Sequence, residues 1–186
     1  MYKDIIKIII CLICLLQIVK ADSEVEIMAV SGDVKIRYGL EENWSKADIG
    51  ILLKDIDTIL TGENGEVVLQ LTGNIALNQF NGQIILRKVT ANLCVELTNG
   101  NIYGDIALLY TGSCSVKTVN GQIDLHIPQN TSADFVASVV NGGITVHNLI
   151  LHEIESSPKY LKGRLGDGAG TIELQVVNGT IYVTGR

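Results

Sequence analysis

The sequence predicts an all-β chain: a single-stranded β-solenoid, a β-helix-like stack of coils of about 20 residues, behind an N-terminal signal peptide. Three observations predict the stack. Five Asn-Gly steps recur (Asn81-Gly82, Asn99-Gly100, Asn120-Gly121, Asn141-Gly142 and Asn178-Gly179), each with isoleucine two residues after the glycine. The asparagines are spaced by 18, 21, 21 and 37 residues, the short spacings being one solenoid coil each. Before each Asn the residues alternate with period 2, the pattern of a strand with one buried face.

The chain of 186 residues opens on a segment that does not look like part of this stack. Lys3 and Lys7 precede an almost wholly apolar run, Ile8 to Val19, and Val19-Lys20-Ala21 ends on a small residue. This is the pattern of a secretory signal peptide cut after Ala21. The run is short for a membrane span, and an uncleaved anchor is the alternative. Cys11 and Cys14 lie inside it, and neither follows the small residue of a lipoprotein site.

The formal net charge is −6, and loss of residues 1–21, with three lysines and one aspartate, takes the chain to −8. An acidic exported chain without a basic patch is a poor partner for nucleic acid or for anionic membrane. Contact with membrane is expected only transiently, through the leader. Aromatics make up 5% of residues, so the core must be aliphatic and narrow.

Within the stack, the inward positions before the corner are Leu93, Val95, Leu97; Cys114, Val116, Thr118; Phe135, Ala137, Val139; and Ile172, Leu174, Val176. Cys94, Glu96, Ser115, Lys117, Val136, Ser138, Glu173 and Gln175 face outward. After the corner Ile123, Leu125, Ile144, Val146, Ile181 and Val183 continue inward, with Gln122, Asp124, Thr145 and Tyr182 outward. Asn-Gly suits a corner because both residues tolerate positive φ. A hairpin meander would share this signal, with turns at Tyr110-Thr111-Gly112 and Pro128-Gln129-Asn130. Matching inward positions across repeats favour the solenoid, in which those turns become the second corners. The 37-residue spacing implies an inserted loop of about 16 residues.

Stacking places equivalent residues about 4.8 Å apart on adjacent coils. Glu96 should then neighbour Lys117, and Arg87 should neighbour Asp105. Cys94 faces out and Cys114 in, so the register opposes a disulfide between them.

From about Gly73 to Arg186 the chain resembles the bacterial adhesin-like β-solenoid domain, a family of exported proteins. The residues that carry the resemblance are Asn141 to Val146, the loop around His152–Arg164, and Gly168 to Val183. The resemblance implies a β-solenoid with a surface or envelope role and no catalytic residue. The preceding stretch resembles the FecR-like periplasmic domain through Val30-Ser31-Gly32-Asp33-Val34, Trp44, Leu53, Asp57, Thr61-Gly62 and the strand pair Val67–Leu71 and Ile75–Leu77. Ile56 stands where that family has glycine. The organisation read from these is a leader at 1–21, a FecR-like β module at 22–72 and the solenoid at 73–186. A fit of Asn64-Gly65-Glu66-Val67 to one more corner leaves a single continuous solenoid as the alternative.

Candidate chemistry is sparse. His126 and His147 share a repeat position, with Asp105 one coil earlier, and would form a weak transition-metal set or a solvated ladder. Gly163, Gly166, Gly168 and Gly170 precede a strand pattern, Thr171 to Leu174, and not the helix that a phosphate loop needs. The carboxylate pairs Glu41-Glu42, Asp55/Asp57 and Glu153/Glu155 fall at turns and strand ends, and no catalytic residue is assigned. Tyr103 and Tyr182 share an outward position suited to stacking on sugars or partner chains. Trp44 reads as a structural residue. Asn43, Asn130 and Asn178 begin glycosylation acceptor triplets, relevant only to a eukaryotic secretory route.

The expected function is therefore that of an exported, non-enzymatic solenoid, in the periplasm, cell envelope or medium, without a cofactor. It would bind envelope polysaccharide or another surface protein, and could oligomerise by strand addition at an open last coil ending at Arg186. A sensory or regulatory FecR-like module and a carbohydrate-active β-helix enzyme are the alternatives.

Overall fold

The structure, a computed structural model, describes residues 7–11, 14–18, 25–54, 57–61, 66–71 and 74–186. The expected leader cleavage site at Ala21, and the residues Asp55, Ile56, Gly62, Asn64-Gly65 and Gly73, lie outside these. The strands up to residue 71 are short: β1 (Lys7–Cys11), β2 (Cys14–Ile18), β3 (Val25–Ser31), β4 (Val34–Arg37), β5 (Ser45–Lys46), β6 (Leu52–Leu53), β7 (Thr58–Thr61) and β8 (Glu66–Leu71). Longer strands follow: β9 (Ile75–Thr90), β10 (Leu93–Ala107), β11 (Ser113–Ile127) and β12 (Ala133–His147). A hairpin, β13 (Leu151–Ser157) and β14 (Tyr160–Leu165), leads to β15 (Gly170–Gly185). All the described elements are strands, so the all-β reading holds.

The stack is formed by β9, β10, β11, β15 and β12, every neighbouring pair parallel. Each strand runs through its Asn-Gly step, so one strand supplies two arms and the corner between them. Register is kept at every corner: Asn81 pairs Asn99, Asn99 pairs Asn120, Asn120 pairs Asn178, and Asn178 pairs Asn141. The inward column is dry. Leu77, Val95, Val116, Leu174 and Ala137, four residues before the corner, are all buried, as are Ile84, Ile102, Ile123 and Ile181 beyond it. Each such side chain contributes roughly 1.5–3 kcal/mol relative to exposure, so the column dominates stability. The second corners form where expected, with Gly112 N donating to Leu109 O at 2.8 Å and Thr131 N to Pro128 O at 3.0 Å.

Three expectations are corrected here. The coils do not stack in sequence order, because β15 enters between β11 and β12. Arg186 is therefore not an open edge: its N–H donates to Ile127 O, and its carbonyl accepts from Gln129 N. The free edge at this end is the second arm of β12, since β14 covers only Ala133 to Ser138. Ile144 and Val146 on that arm are only half-buried for the same reason. The segment around His152–Arg164 is not a loop but the β13–β14 hairpin, laid antiparallel on β12. Exposed bonds clip its exit to the second corners. Asp167 accepts from the Tyr110 hydroxyl at 2.8 Å and from the Ser132 hydroxyl, and Ala169 N donates to Ser132 Oγ at 3.0 Å. The two hydroxyl bonds, Ser132's first, hold the Asp167 carboxyl below its usual range, and the same carboxylate pushes the Tyr110 phenol up.

The strands before residue 72 pair antiparallel: β3 with β6 and β8, β4 with β5 and β7. In the full chain β1 lies between β8 and β9, and β2 between β7 and β9. Asp57 is buried and accepts from Gly39 N at 2.9 Å and Lys54 N at 2.8 Å, which fixes the turn before β7. Trp44 is half-buried, with the Arg37 guanidinium 5.1 Å from its ring centre, a structural stacking contact.

Cys114 is buried in the column and Cys94 lies outside it, facing opposite sides of the sheet as the register requires. Burial pushes the Cys114 thiol up to about 12. Desolvation, then the Glu96 charge, raises Cys94 as well. In protein lacking residues 1–21, a thiol reagent is expected to label Cys94 and spare Cys114 until the chain unfolds. The pH dependence follows in sign. The folded state keeps the Cys114 proton that the unfolded chain releases near 9, so stability is present below pH 9 and is lost as pH rises toward 12. The slope is about 1.4 kcal/mol per pH unit. Urea melts of Cys114→Ala should lack that slope, and an equal slope in both proteins would refute the assignment.

Candidate functional site

The stacked corners build one long surface feature. At its crest the five corner asparagines form an unbroken amide ladder. Asn99 donates Nδ2 to Asn81 Oδ1 at 2.8 Å, Asn120 to Asn99 at 2.7 Å, Asn178 to Asn120 at 2.8 Å, and Asn141 to Asn178 at 2.8 Å. Asn178 thus uses both ends of its amide within the ladder. The glycines that follow let the backbones close. A Cβ on Gly100 would fall 1.6 Å from Gly82 O, and one on Gly142 1.6 Å from Gly179 O.

Beside the crest runs a groove of about 520 Å³. Two ladders of outward side chains wall it. One, the residue immediately before each Asn, reads Phe80, Thr98, Val119, Val177 and Val140 in spatial order. The other, three before each Asn, reads Asn78, Glu96, Lys117, Gln175 and Ser138. The first is apolar and open, with Phe80 60% and Val140 57% exposed. The second is polar and carries one charge of each sign, Glu96 in register with Lys117 as expected. The groove is therefore neutral in sum, apolar along one wall and hydrogen-bonding along the other. It crosses all five strands of the stack.

Sequence reasoning placed the corner residues correctly but missed this groove. The signal was present: Val119, Val140 and Val177 each precede an Asn, at a position that the period-2 pattern turns outward. Valine repeated on a solvent face is a surface ladder and not core.

The other singled-out residues are not brought together. His126 and His147 are not neighbours, because Thr184 of the inserted β15 lies between them in register. Asp105 pairs in register with His126, but its carboxylate is held by Arg186 at 2.6 Å, while His126 stands 3.7 Å from Asp124. No group of three or more His, Cys, Asp or Glu able to hold a metal occurs among the described residues. Arg87 does not pair with Asp105. A bulge sets Arg87 and Lys88 together opposite it, with Lys88 at φ 52°. Tyr103 and Tyr182 flank Asp124 on the second arms and are not among the groove-lining residues. Glu41 and Glu42 are exposed, and Glu153 is bound to Arg164 at 3.2 Å. Gly168 and Gly170 lead into strand β15, the context expected for a structural segment.

A stack of parallel, cornered strands with one continuous lateral groove defines a β-solenoid-like module. The chain belongs to the Toastrack DUF4097 family, whose match covers residues 53–184. That match starts upstream of Gly73 and takes in β7 and β8 as well as the stack. No curated protein and no solved structure matches the chain.

Proposed function

We propose that this protein is an exported, non-enzymatic binding module that acts in adhesion or in organising the cell envelope, its partner being envelope polysaccharide or a surface protein. The observation that carries the reading is the neutral, half-apolar groove built from repeated side chains. Repetition at one strand spacing suits a partner that is itself extended. The rigidity of the wall supports it too: each rung is fixed by its Asn bond and by backbone pairing on both sides, so little order remains to be imposed on binding. The carboxylates in view serve structural bonds, Asp57 at a turn and Glu153 on Arg164. Export rests on the Lys3 to Ala21 pattern. The N-terminal strands would then belong to the unprocessed chain, and the mass of the mature protein tests this directly.

The functional test is sedimentation of protein lacking residues 1–21 with envelopes of the source cells. The expected result is saturable association without release of soluble fragments. Absence of association, or cleavage products that increase with time, would overturn the reading.

A further inference from the structure

Two residues break the aliphatic column at the position two before each corner, where other coils carry Leu97, Val176 and Val139. They are Gln79 on β9 and Thr118 on β11, 4% and 3% exposed. Gln79 donates its Nε2 to Asn81 O at 2.8 Å, yet its Oε1 has no partner, and neither has Thr118 Oγ1. Both residues line the groove. Buried oxygens without a donor are costly, and a column that tolerates leucine and valine at the same position has no packing need for them. They are acceptors kept for a donor that the chain does not supply.

The walls say what kind of donor. The apolar ladder from Phe80 to Val140 suits a face of C–H groups, and the facing ladder offers amides, a hydroxyl and one ion of each sign. Four inter-strand steps give a length of about 19 Å. Summed charge is nil, which disfavours a polyanion on a chain already at −6. A partner β-strand is excluded from the groove because the backbone there is already paired on both sides along β10, β11 and β15. An apolar helix would leave the two buried oxygens unmet.

We infer that the groove takes a linear, uncharged, hydroxyl-rich glycan lying along the stack axis. Its C–H faces rest on Phe80, Val119 and Val177, and its hydroxyls donate to Gln79 Oε1 and Thr118 Oγ1. The inference deepens the proposed envelope-binding reading and rests on it.

Titration calorimetry with two probes, a β-1,4-linked glucose hexamer and the corresponding N-acetylglucosamine hexamer, tests it on protein lacking residues 1–21. At least one should bind. Thr118→Val and Gln79→Leu fill the column as the other coils do. Each should melt at or above the wild-type temperature while weakening binding tenfold or more. Phe80→Ala, on the surface, should weaken binding with melting unchanged. The inference is overturned if neither hexamer binds, if the variants bind like wild type, or if a decanoyl chain or an amphipathic peptide occupies the groove instead. Envelope sedimentation separates the two levels. Association retained without hexamer binding removes the glycan assignment alone, and loss of association removes the function reading with it.

Discussion

Gly121→Ala is expected to cost the fold roughly 4 kcal/mol or more, at the upper end of what single substitutions do. A Cβ at this position would lie 1.7 Å from Gly100 O and 2.6 Å from Gly100 C. Those are backbone atoms of a strand paired on both sides, so neither can retreat without parting the stack. The φ of +147° adds strain for any side chain. The clash also propagates, because Gly121 O is itself 1.7 Å from where a Cβ on Gly179 would sit. Gly143→Ala is the matched control: a Cβ there meets nothing within 4 Å, and the change should alter stability by less than about 1 kcal/mol. Urea midpoints compare the two. If Gly121→Ala gives no folded protein, Asn120→Ala probes the same corner more gently, removing two ladder bonds for about 1–2 kcal/mol. A Gly121→Ala protein as stable as wild type would mean that the corners are not stacked backbone on backbone.

Much of this corner is legible in the amino-acid sequence itself. The Asn-Gly recurrence gives the register rung by rung, since an inward column tolerates no slip by one residue without turning every side chain outward. The buried set from Leu93 to Val176 follows from that alternation alone. The spatial order of coils does not follow. Asn120 and Asn141 are 21 residues apart, the spacing of adjacent coils, yet β15 separates them. Nothing local distinguishes the two arrangements: each coil offers the same amide at the crest and the same aliphatic column inside, so β15 fits between any two. The consequences run through every expectation that depends on order. They move His147 away from His126, give Asp105 to Arg186, and shift the free edge from the C-terminus to β12. The groove is hidden for a different reason. Its walls are defined by side chains of five strands together, and a pattern search that sorts residues into inside and outside treats an outward valine as noise.

Phe135→Ala should have the next largest effect, about 3–5 kcal/mol. Phe135 is fully buried, the largest such side chain among the described residues, and it sits in β12 between Ile172 of β15 and Gly163 of β14. That glycine lets the hairpin close over the ring, since a Cβ on it would meet His152 O at 3.2 Å and Leu151 Cβ at 3.3 Å. The ring therefore joins the last coil to the hairpin that covers it. Elsewhere in the stack a cavity would be held open by strands on both sides. Here one side is a two-stranded hairpin, so the loss is expected to fall first on local order. Hydrogen exchange should show β13 and β14 amides losing protection in denaturant that leaves β10 and β11 intact, with Phe135→Leu giving a milder version at about 1.5 kcal/mol. Uniform loss of protection across the stack would show instead that the hairpin and the coils unfold as one unit. The free arm of β12 would then owe its order to the whole column and not to the hairpin beside it.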